Sequence, residues 1–277
     1  MSFLRSFLLS SVVAALLTGI PAQAEATWSV IAVDRSSGQV IIASATCVTQ
    51  GALRGFPAGG LMDIQAIVVP GVGVAAAQAG VDRSRENQNL IQRGLKAGTH
   101  PEEILELLKE DPDIERRQFA ILDLEGRWAG FSGSENLEAS LALSGQVPEA
   151  GIHFSVQGNI LASDEVVEEA VDAFKRESDG TMADRVMAAM EAADAVGGDR
   201  RCTCETEPLP EVQCNGRTSH VAYLLVAEPG DRAGPGHSQG DWSLMIDVTD
   251  ENIEAHENAN PVITLRQRYD AWRAGEG

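Results

Sequence analysis

The fold is decided by Thr27–Asp34, TWSVIAVD, and by residues 39–48, QVIIASATCV. Each holds an uninterrupted apolar run, at 30–33 and 40–43, and a polar turn ending in Gly38 separates the two. So short a connection joins antiparallel neighbours. An antiparallel sheet with one wet face alternates apolar and polar residues, so these runs indicate strands that are covered on both faces. The pair therefore predicts a hairpin with packing on each side.

Further strands follow the same pattern of pairs joined by tight turns. They are predicted at residues 64–69 and 72–78, 118–124 and 127–132, 153–161, and 219–227 and 242–248. Helices are predicted at residues 84–97, 101–110, 165–176, 182–195 and 261–273. Groups of strands that alternate with helix pairs predict an α+β fold, in which two stacked antiparallel sheets lie between helix layers. Because no linker or repeat divides residues 27–277, we expect a single domain there.

The N-terminus has the three parts of a secretory signal peptide. Arg5 gives a positive charge, residues 7–17 are apolar, and overlapping small-x-small cleavage sites end at Ala24 and Ala26. The apolar stretch is shorter than the roughly 20 residues that span a bilayer. We therefore expect residues 1–26 to be a signal peptide, cut after Ala24 or Ala26, and the protein to be periplasmic or secreted.

The charge of the chain limits its partners. It has 41 acidic against 21 basic residues, a formal net charge of −20. Such a surface repels nucleic acid and anionic lipid headgroups, so neither nucleic acid nor membrane is expected as a partner. The five histidines show no metal spacing, and there is no phosphate-binding glycine loop with lysine. We expect no metal and no cofactor, and the composition is compatible with a homo-oligomer.

The four cysteines are Cys47, Cys202, Cys204 and Cys214. Three of them lie in a polar stretch, residues 200–216, that is predicted to be a surface loop. In an exported chain cysteines oxidise, and four cysteines allow three pairings. We expect a loop disulfide that involves Cys214. The alternative is a metal site of the three loop cysteines with His220, although that spacing matches no common zinc pattern.

Thr27 is the most informative single residue, because it begins the first strand directly after the second cleavage site. Cleavage after Ala26 would give Thr27 a free α-amino group, whose ordinary pKa is about 7.7 to 8. That amine could accept the proton of the Thr27 hydroxyl, which is the threonine and N-terminal amine arrangement of covalent catalysis. Thr27 is also a β-branched residue of the kind that strands favour on structural grounds alone.

Several motifs besides TWSVIAVD carry a family resemblance. They occur in order over most of the chain, at residues 71–75 with 78–79, 94–95, 117–123, 131–134, 157–162 and 197–201. On these residues the chain resembles the domain of unknown function 1028 family. That family is regarded as similar to the N-terminal-nucleophile (Ntn) hydrolases, with a four-layer αββα sandwich, and its biochemical activity is not established. The resemblance agrees with the layers predicted from the strands and helices.

The resemblance implies roles for particular residues. Thr27 would be the nucleophile, and the Gln157-Gly158-Asn159 stretch would support an oxyanion through the Asn159 amide or a backbone N–H. Asn159 could equally be a residue that caps a strand end. Substrate-binding candidates are Gln78, Asp82, Asp199 and Arg200. Asp82 belongs to a Val-Asp pair that replaces the expected Thr-Asn of the family, and the Asp199-Arg200 pair could orient the amine or bind substrate charge.

The resulting prediction is an exported Ntn-type amidohydrolase that acts on a small-molecule amide or small peptide through an acyl-enzyme on Thr27. One departure concerns lysine, since proteasome-type relatives place one beside the nucleophile. Here the only lysines are Lys96, Lys109 and Lys175, all in predicted helices. The alternative is a non-catalytic periplasmic domain that keeps the fold to bind a ligand or a partner.

Overall fold

The computed structural model describes residues 27–56 and 58–275, and the predicted signal peptide lies outside them. These residues form a mixed α+β fold with antiparallel sheets and seven α-helices. The strands are β1 (Thr27–Asp34), β2 (Val40–Thr46), β3 (Ala66–Val69), β4 (Gly73–Ala79), β5 (Arg117–Asp123), β6 (Trp128–Ser132), β7 (Leu141–Val147), β8 (Ile152–Asn159), β9 (Val221–Ala227), β10 (Arg232–Ala233), β11 (Gly240–Asp241) and β12 (Leu244–Thr249). The helices are α1 (Gln50–Arg54), α2 (Leu61–Gln65), α3 (Glu86–Lys96), α4 (Pro101–Leu108), α5 (Glu165–Arg176), α6 (Met182–Ala195) and α7 (Pro261–Ala274).

The strands form a six-stranded sheet, a four-stranded sheet and a small two-stranded ribbon. The order is β12-β9-β2-β1-β8-β7 in the large sheet and β3-β4-β5-β6 in the second sheet, and β10 pairs with β11. Every neighbouring pair is antiparallel. The predicted pairs β1–β2, β3–β4, β5–β6 and β9–β12 are therefore confirmed. The sequence did not show that β8 would pair with β1 and make it a central strand.

Three apolar cores lie on the faces of these sheets. Alternate residues of β1 divide between two of them: Trp28, Val30 and Ala32 pack in a core with α5, α6 and α7. Ile31 and Val33 point the other way, into a core shared by the two sheets. A third core joins the outer face of the four-stranded sheet to α3 and α4. The apolar runs of the first two strands are thus buried on both faces, as predicted.

Two of the longer helices begin at caps that the sequence supplies. Thr181 and Asp184 form a reciprocal capping box at the start of α6, and the Asn260 side chain accepts from the Val262 N–H at the start of α7. Such caps satisfy N–H groups that the first helical turn leaves without partners. They fix where both helices begin beneath the large sheet.

The structure differs from the prediction at several elements. Residues 64 and 65 end the short helix α2 instead of opening β3, because a short apolar run does not distinguish a helical turn from a strand. Helix α1 and the strands β7, β10 and β11 were not predicted. β7 lies at an edge of the large sheet and is mostly only partly buried, so its sequence lacks the apolar run that identifies the central strands.

Both disulfides agree with an oxidising compartment. Cys204 is bonded to Cys214, which confirms the predicted loop disulfide, and Cys47 is bonded to Cys202. The alternative of a metal site built from the loop cysteines is wrong, because all three are consumed in disulfides. Within the described residues, no helix is both long and apolar enough to cross a membrane.

Candidate functional site

Thr27 lies between two polar partners at the start of β1. Its register partners are Thr46 at the end of β2 and Asn159 at the end of β8. Because side chains alternate along a strand, Thr27 shares the face of Ile31 and Val33 and points between the two sheets. The Thr27 hydroxyl donates to Oγ1 of Thr46 at 3.3 Å. Thr27 is 3% exposed, and Thr46 and Asn159 are fully buried.

Polar side chains replace the apolar core at this end of the space between the sheets. Four buried glutamines form what we call the glutamine layer: Gln65, Gln78, Gln118 and Gln157. Gln118 donates to the Gly158 carbonyl at 2.8 Å, and Gln157 donates to the Ala76 carbonyl at 3.3 Å, so each bond joins one sheet to the other. Buried polar groups cost free energy unless they are paired. The layer therefore holds the sheets together by direct bonds where apolar packing ends.

Gln78 is the hub of the glutamine layer. Its Nε2 donates to the Thr27 carbonyl at 3.0 Å and to Oε1 of Gln118 at 2.7 Å. Its Oε1 accepts from the Ser29 hydroxyl at 2.7 Å and from Nε2 of Gln65 at 2.6 Å. An amide offers two donors and two lone pairs, so these four bonds use the whole capacity of the side chain. The contacts make Gln78 a residue that positions Thr27, and its predicted contact with substrate stays a prediction.

Backbone strain is found beside two of the site residues. Ala79, which follows Gln78, has φ of 70°, and Ile160, which follows Asn159, has φ of 55°. Non-glycine residues rarely adopt this left-handed region, and a β-branched residue such as isoleucine does so least. Such positions cost about 1 to 3 kcal/mol each and cluster at functional sites. These two residues lie at the ends of β4 and β8, the strands that carry Gln78 and Asn159.

The Asp82 side chain accepts hydrogen bonds from residues around the start of α3. Its carboxylate accepts from Ser84 N and Oγ at 2.9 and 2.6 Å and from Asn87 N at 3.0 Å. Burial alone would raise the pKa of Asp82, but these bonds outweigh burial and lower it. Asp82 and Gln78 line the same small cavity of about 10 Å³. That volume is about the size of one water molecule.

Asp199 and Arg200 are neighbours in the chain, but their side chains have different surroundings. The Asp199 carboxylate is fully buried and accepts from the Cys47 N–H at 2.8 Å and from Nη2 of Arg201 at 2.7 Å. Arg200 is exposed. The ion pair is therefore formed with Arg201, and the joint role of Asp199 and Arg200 in orienting the amine or binding substrate charge stays a prediction. A contact of either residue with substrate stays a prediction.

His220 adds an uncharged ring next to the end of β2. Its backbone N–H donates to the Thr46 carbonyl at 2.7 Å. Its Nδ1 is buried and has no hydrogen-bond partner among the described residues. Burial, aided by the charges of Arg217 and Arg201, lowers the pKa of His220 from 6.5 to about 4. The ring is therefore neutral at pH 7.

Sequence reasoning missed Thr46, Gln65 and Gln118. A weak indication was available, since glutamine is unusual in buried strands and Gln78, Gln118 and Gln157 all lie in segments predicted as strands. The pairing of Thr46 with Thr27 depends on the register of the first hairpin. When both faces of a strand are buried, the pattern of apolar residues does not determine that register.

Replacing the hub of the glutamine layer should destabilise the protein strongly. Gln78→Leu leaves four buried polar groups without their partner, and each such group costs about 1 to 3 kcal/mol. We expect the free energy of unfolding to fall by about 3 kcal/mol or more, measured by urea denaturation. The matched control is Gln92→Leu, which removes a single bond of 3.3 Å to the Gly236 carbonyl. Equal losses in the two variants would contradict the hub assignment.

His220 should make stability depend on pH. The unfolded histidine titrates near 6.5 and the folded one near 4, so between these values the unfolded state binds a proton that the folded state does not. Stability is therefore lost as the pH falls below 6.5 and levels off near 4. Relative to pH 7, unfolding at pH 4.5 should cost about 2 kcal/mol less through this residue alone. Urea titrations of wild type and His220→Gln would show it, and the same pH dependence in both would contradict it.

Comparisons with known proteins agree with the motifs. The model of a family of unknown function (DUF1028) matches residues 27–207. The crystal structure of protein SPO2555 from Silicibacter pomeroyi, assigned to the same family, is similar with a TM-score of 0.62 and 24% sequence identity, over 91% of this chain and 90% of that chain. At that identity the likeness concerns the fold. No curated protein matches the chain. The first strand, the glutamine layer and both strained strand ends lie inside the region that the family model matches. The chain belongs to the DUF1028 family.

Proposed function

We propose that this protein is an exported amidohydrolase in which Thr27 is an N-terminal nucleophile, acting on a small-molecule amide or a small peptide. The observation that supports it most is the position of Thr27. It opens a central strand with its hydroxyl directed between the two sheets, bonded to Thr46 and paired in register with Asn159. The two disulfides support a periplasmic or secreted location.

The proposal includes the fold. We infer that the molecule is the four-layer αββα sandwich of the Ntn hydrolases. Three successive cores support this layer order: α5, α6 and α7 on the large sheet, the large sheet on the four-stranded sheet, and that sheet on α3 and α4. In such an arrangement a residue that begins a central strand can present its amine and its side chain to the same space.

The chemistry begins with cleavage after Ala26, which converts the Thr27 nitrogen from an amide into an amine. With an ordinary pKa of about 7.7 to 8, an appreciable fraction of this amine is neutral near pH 7. It accepts the proton of the Thr27 hydroxyl while Oγ1 forms a bond to the substrate carbonyl carbon. Collapse of the tetrahedral intermediate breaks the C–N bond, the ammonium returns its proton to the leaving amine, and an ester on Thr27 remains for water to hydrolyse.

Asn159 is proposed to stabilise the oxyanion. It ends β8 directly opposite Thr27 and is buried, and an amide donor at such a position contributes about 3 kcal/mol to a transition state. The lysines do not assist. Lys96 ends α3, Lys109 follows α4 and Lys175 lies in α5, so none belongs to the strands that form the site. The proton acceptor in this proposal is therefore the amine itself.

One observation favours the alternative, a non-catalytic domain that binds a ligand or a partner. The Thr27 side chain is almost fully buried, and its hydroxyl is already bonded to Thr46. A threonine that only completes a strand would look the same. The two functions differ in their need for a free amine, which only catalysis requires.

Substitutions at Thr27 should separate the roles of its two groups. In protein whose sequence begins at Thr27, Thr27→Ser keeps hydroxyl and amine and should retain partial reaction with a β-lactone probe, which acylates a nucleophilic hydroxyl. Thr27→Ala keeps only the amine and should abolish acylation. One glycine added before Thr27 keeps the hydroxyl but removes the base, and should slow acylation by about 10²- to 10⁴-fold. Mass analysis of the N-terminal peptide measures each rate.

Folding is checked in each variant by circular dichroism. Acylation of the Thr27→Ala variant at the wild-type rate would show that another residue is the nucleophile. Equal rates with and without the added glycine would show that the amine is not the base.

A further inference from the structure

We propose that Asp199 and the Cys47–Cys202 disulfide are positioning elements of the Thr27 site, acting by holding the ends of β2 and β8 on either side of the nucleophile. This inference rests on the proposed function and deepens it. Asp199 and Cys202 belong to residues 197–202, which we call the clamp segment. The segment contacts Trp28, which follows Thr27 in the chain, and residues just beyond the ends of the two strands that pair with β1.

The first attachment is to β2. Thr46, whose hydroxyl accepts the bond from Thr27, is followed directly by Cys47. The Cys47 N–H donates to Oδ2 of Asp199 at 2.8 Å, and the Cys47 sulfur is bonded to Cys202, three residues beyond Asp199. A covalent bond and a charge-assisted hydrogen bond thus fix the residue next to Thr46. Arg201 holds the same carboxylate through Nε at 3.0 Å and Nη2 at 2.7 Å.

The second attachment is to the chain just beyond β8. Asp199 pairs with Leu161 in an isolated antiparallel bridge, and the Ala162 N–H donates to the Gly198 carbonyl at 3.0 Å. Leu161 stands two residues after Asn159, and the strained Ile160 lies between them. The clamp segment therefore holds the left-handed turn that ends β8. It connects the two strand ends that flank Thr27.

The clamp segment also lies against the residue after Thr27. Gly198 has φ of 47°, and a Cβ added there would come within 2.8 Å of Cη2 of Trp28. The same Cβ would come within 2.8 Å of the Thr218 Cβ, so a side chain at this position would displace the clamp segment, the Trp28 ring or Thr218. Glycine thus allows the segment to approach β1, and its contacts reach the residues next to Thr27, Thr46 and Ile160.

The second disulfide has no comparable contacts among the described residues. Cys204–Cys214 closes a loop with a sequence separation of 10, in the stretch predicted as a surface loop. From that loop Gln213 bridges to Asn258, and the Gln213 carbonyl accepts from the Ala259 N–H at 2.9 Å, ahead of α7. The two disulfides therefore differ in whether they reach the strand ends at the site, and one serves as the control for the other.

The experiment compares rates of β-lactone acylation at Thr27 in protein that begins at Thr27. Misplacement by about 1 Å can slow a reaction about 10²-fold. We expect Cys47→Ser with Cys202→Ser to acylate about 10- to 100-fold more slowly than wild type. Cys204→Ser with Cys214→Ser should leave the rate unchanged. Rates are compared well below each variant's Tm, so that all the protein is folded.

Variants of Asp199 test the same inference without removing a covalent bond. Asp199→Ala removes the acceptor for the Cys47 N–H, whereas Asp199→Asn keeps an oxygen there. We expect the asparagine variant to recover part of the rate that the alanine variant loses. A purely structural role would lower Tm in both variants and leave the acylation rate of folded protein unchanged. If the Cys47 and Cys202 variant does not fold, the Asp199 pair decides the question.

Equal acylation rates in the two double serine variants, or in wild type and Asp199→Ala, would overturn the clamp and leave the proposed nucleophile intact. Failure of wild-type protein beginning at Thr27 to acylate would instead overturn the proposed function, and the positioning role with it. The two failures are thus distinguishable in one set of measurements.

Discussion

The hydrogen bond from Nε2 of Gln78 to the Thr27 carbonyl, 3.0 Å long, joins the four-stranded sheet to the central strand of the large sheet. The rest of the structure depends on the constraint that this bond satisfies. β1 is paired on both edges and packed on both faces, so a polar group on it costs free energy unless it finds a partner within the protein. The glutamine layer provides partners for the Thr27 carbonyl and the Ser29 hydroxyl, and so a polar site persists in the interior of the molecule.

The chemical character of the site follows from the same constraint. The site is lined by threonine, serine, asparagine and glutamine side chains, which carry no net charge. The ion pair of Asp199 with Arg201 contacts the site only indirectly, through the N–H of Cys47. A neutral amine at Thr27 would retain its basicity in such surroundings better than one beside a cation. Left-handed residues at Ala79 and Ile160 end β4 and β8, and the clamp segment is bridged to Leu161 just beyond β8. In the proposed clamp, order at Thr27 depends on hydrogen bonds and one disulfide in addition to apolar packing.

The sequence predicted the parts of the fold in which local pattern and packing agree. Apolar runs in β1 and β2 identify strands buried on both faces, and α5 and α6 were predicted with the bounds that the structure has. β7 was missed because an edge strand lacks such a run. The contact of Thr27 with Thr46, 19 residues away, and that of Gln78 with Thr27, 51 residues away, depend on strand register and on how the sheets stack. Neither is set by local sequence. Thr27 was singled out by its place after a cleavage site at the start of a strand, and the other candidate residues were named from the family motifs.

The central claim is that Thr27 becomes the first residue of the exported protein. The most direct test is the intact mass and N-terminal peptide sequence of the protein recovered from the periplasm or medium of cells that express the full chain. The account predicts a single species that begins at Thr27, after cleavage at Ala26 or trimming of a longer product. A stable product that begins at Glu25 would contradict it, because the Thr27 nitrogen would then remain an amide without basicity.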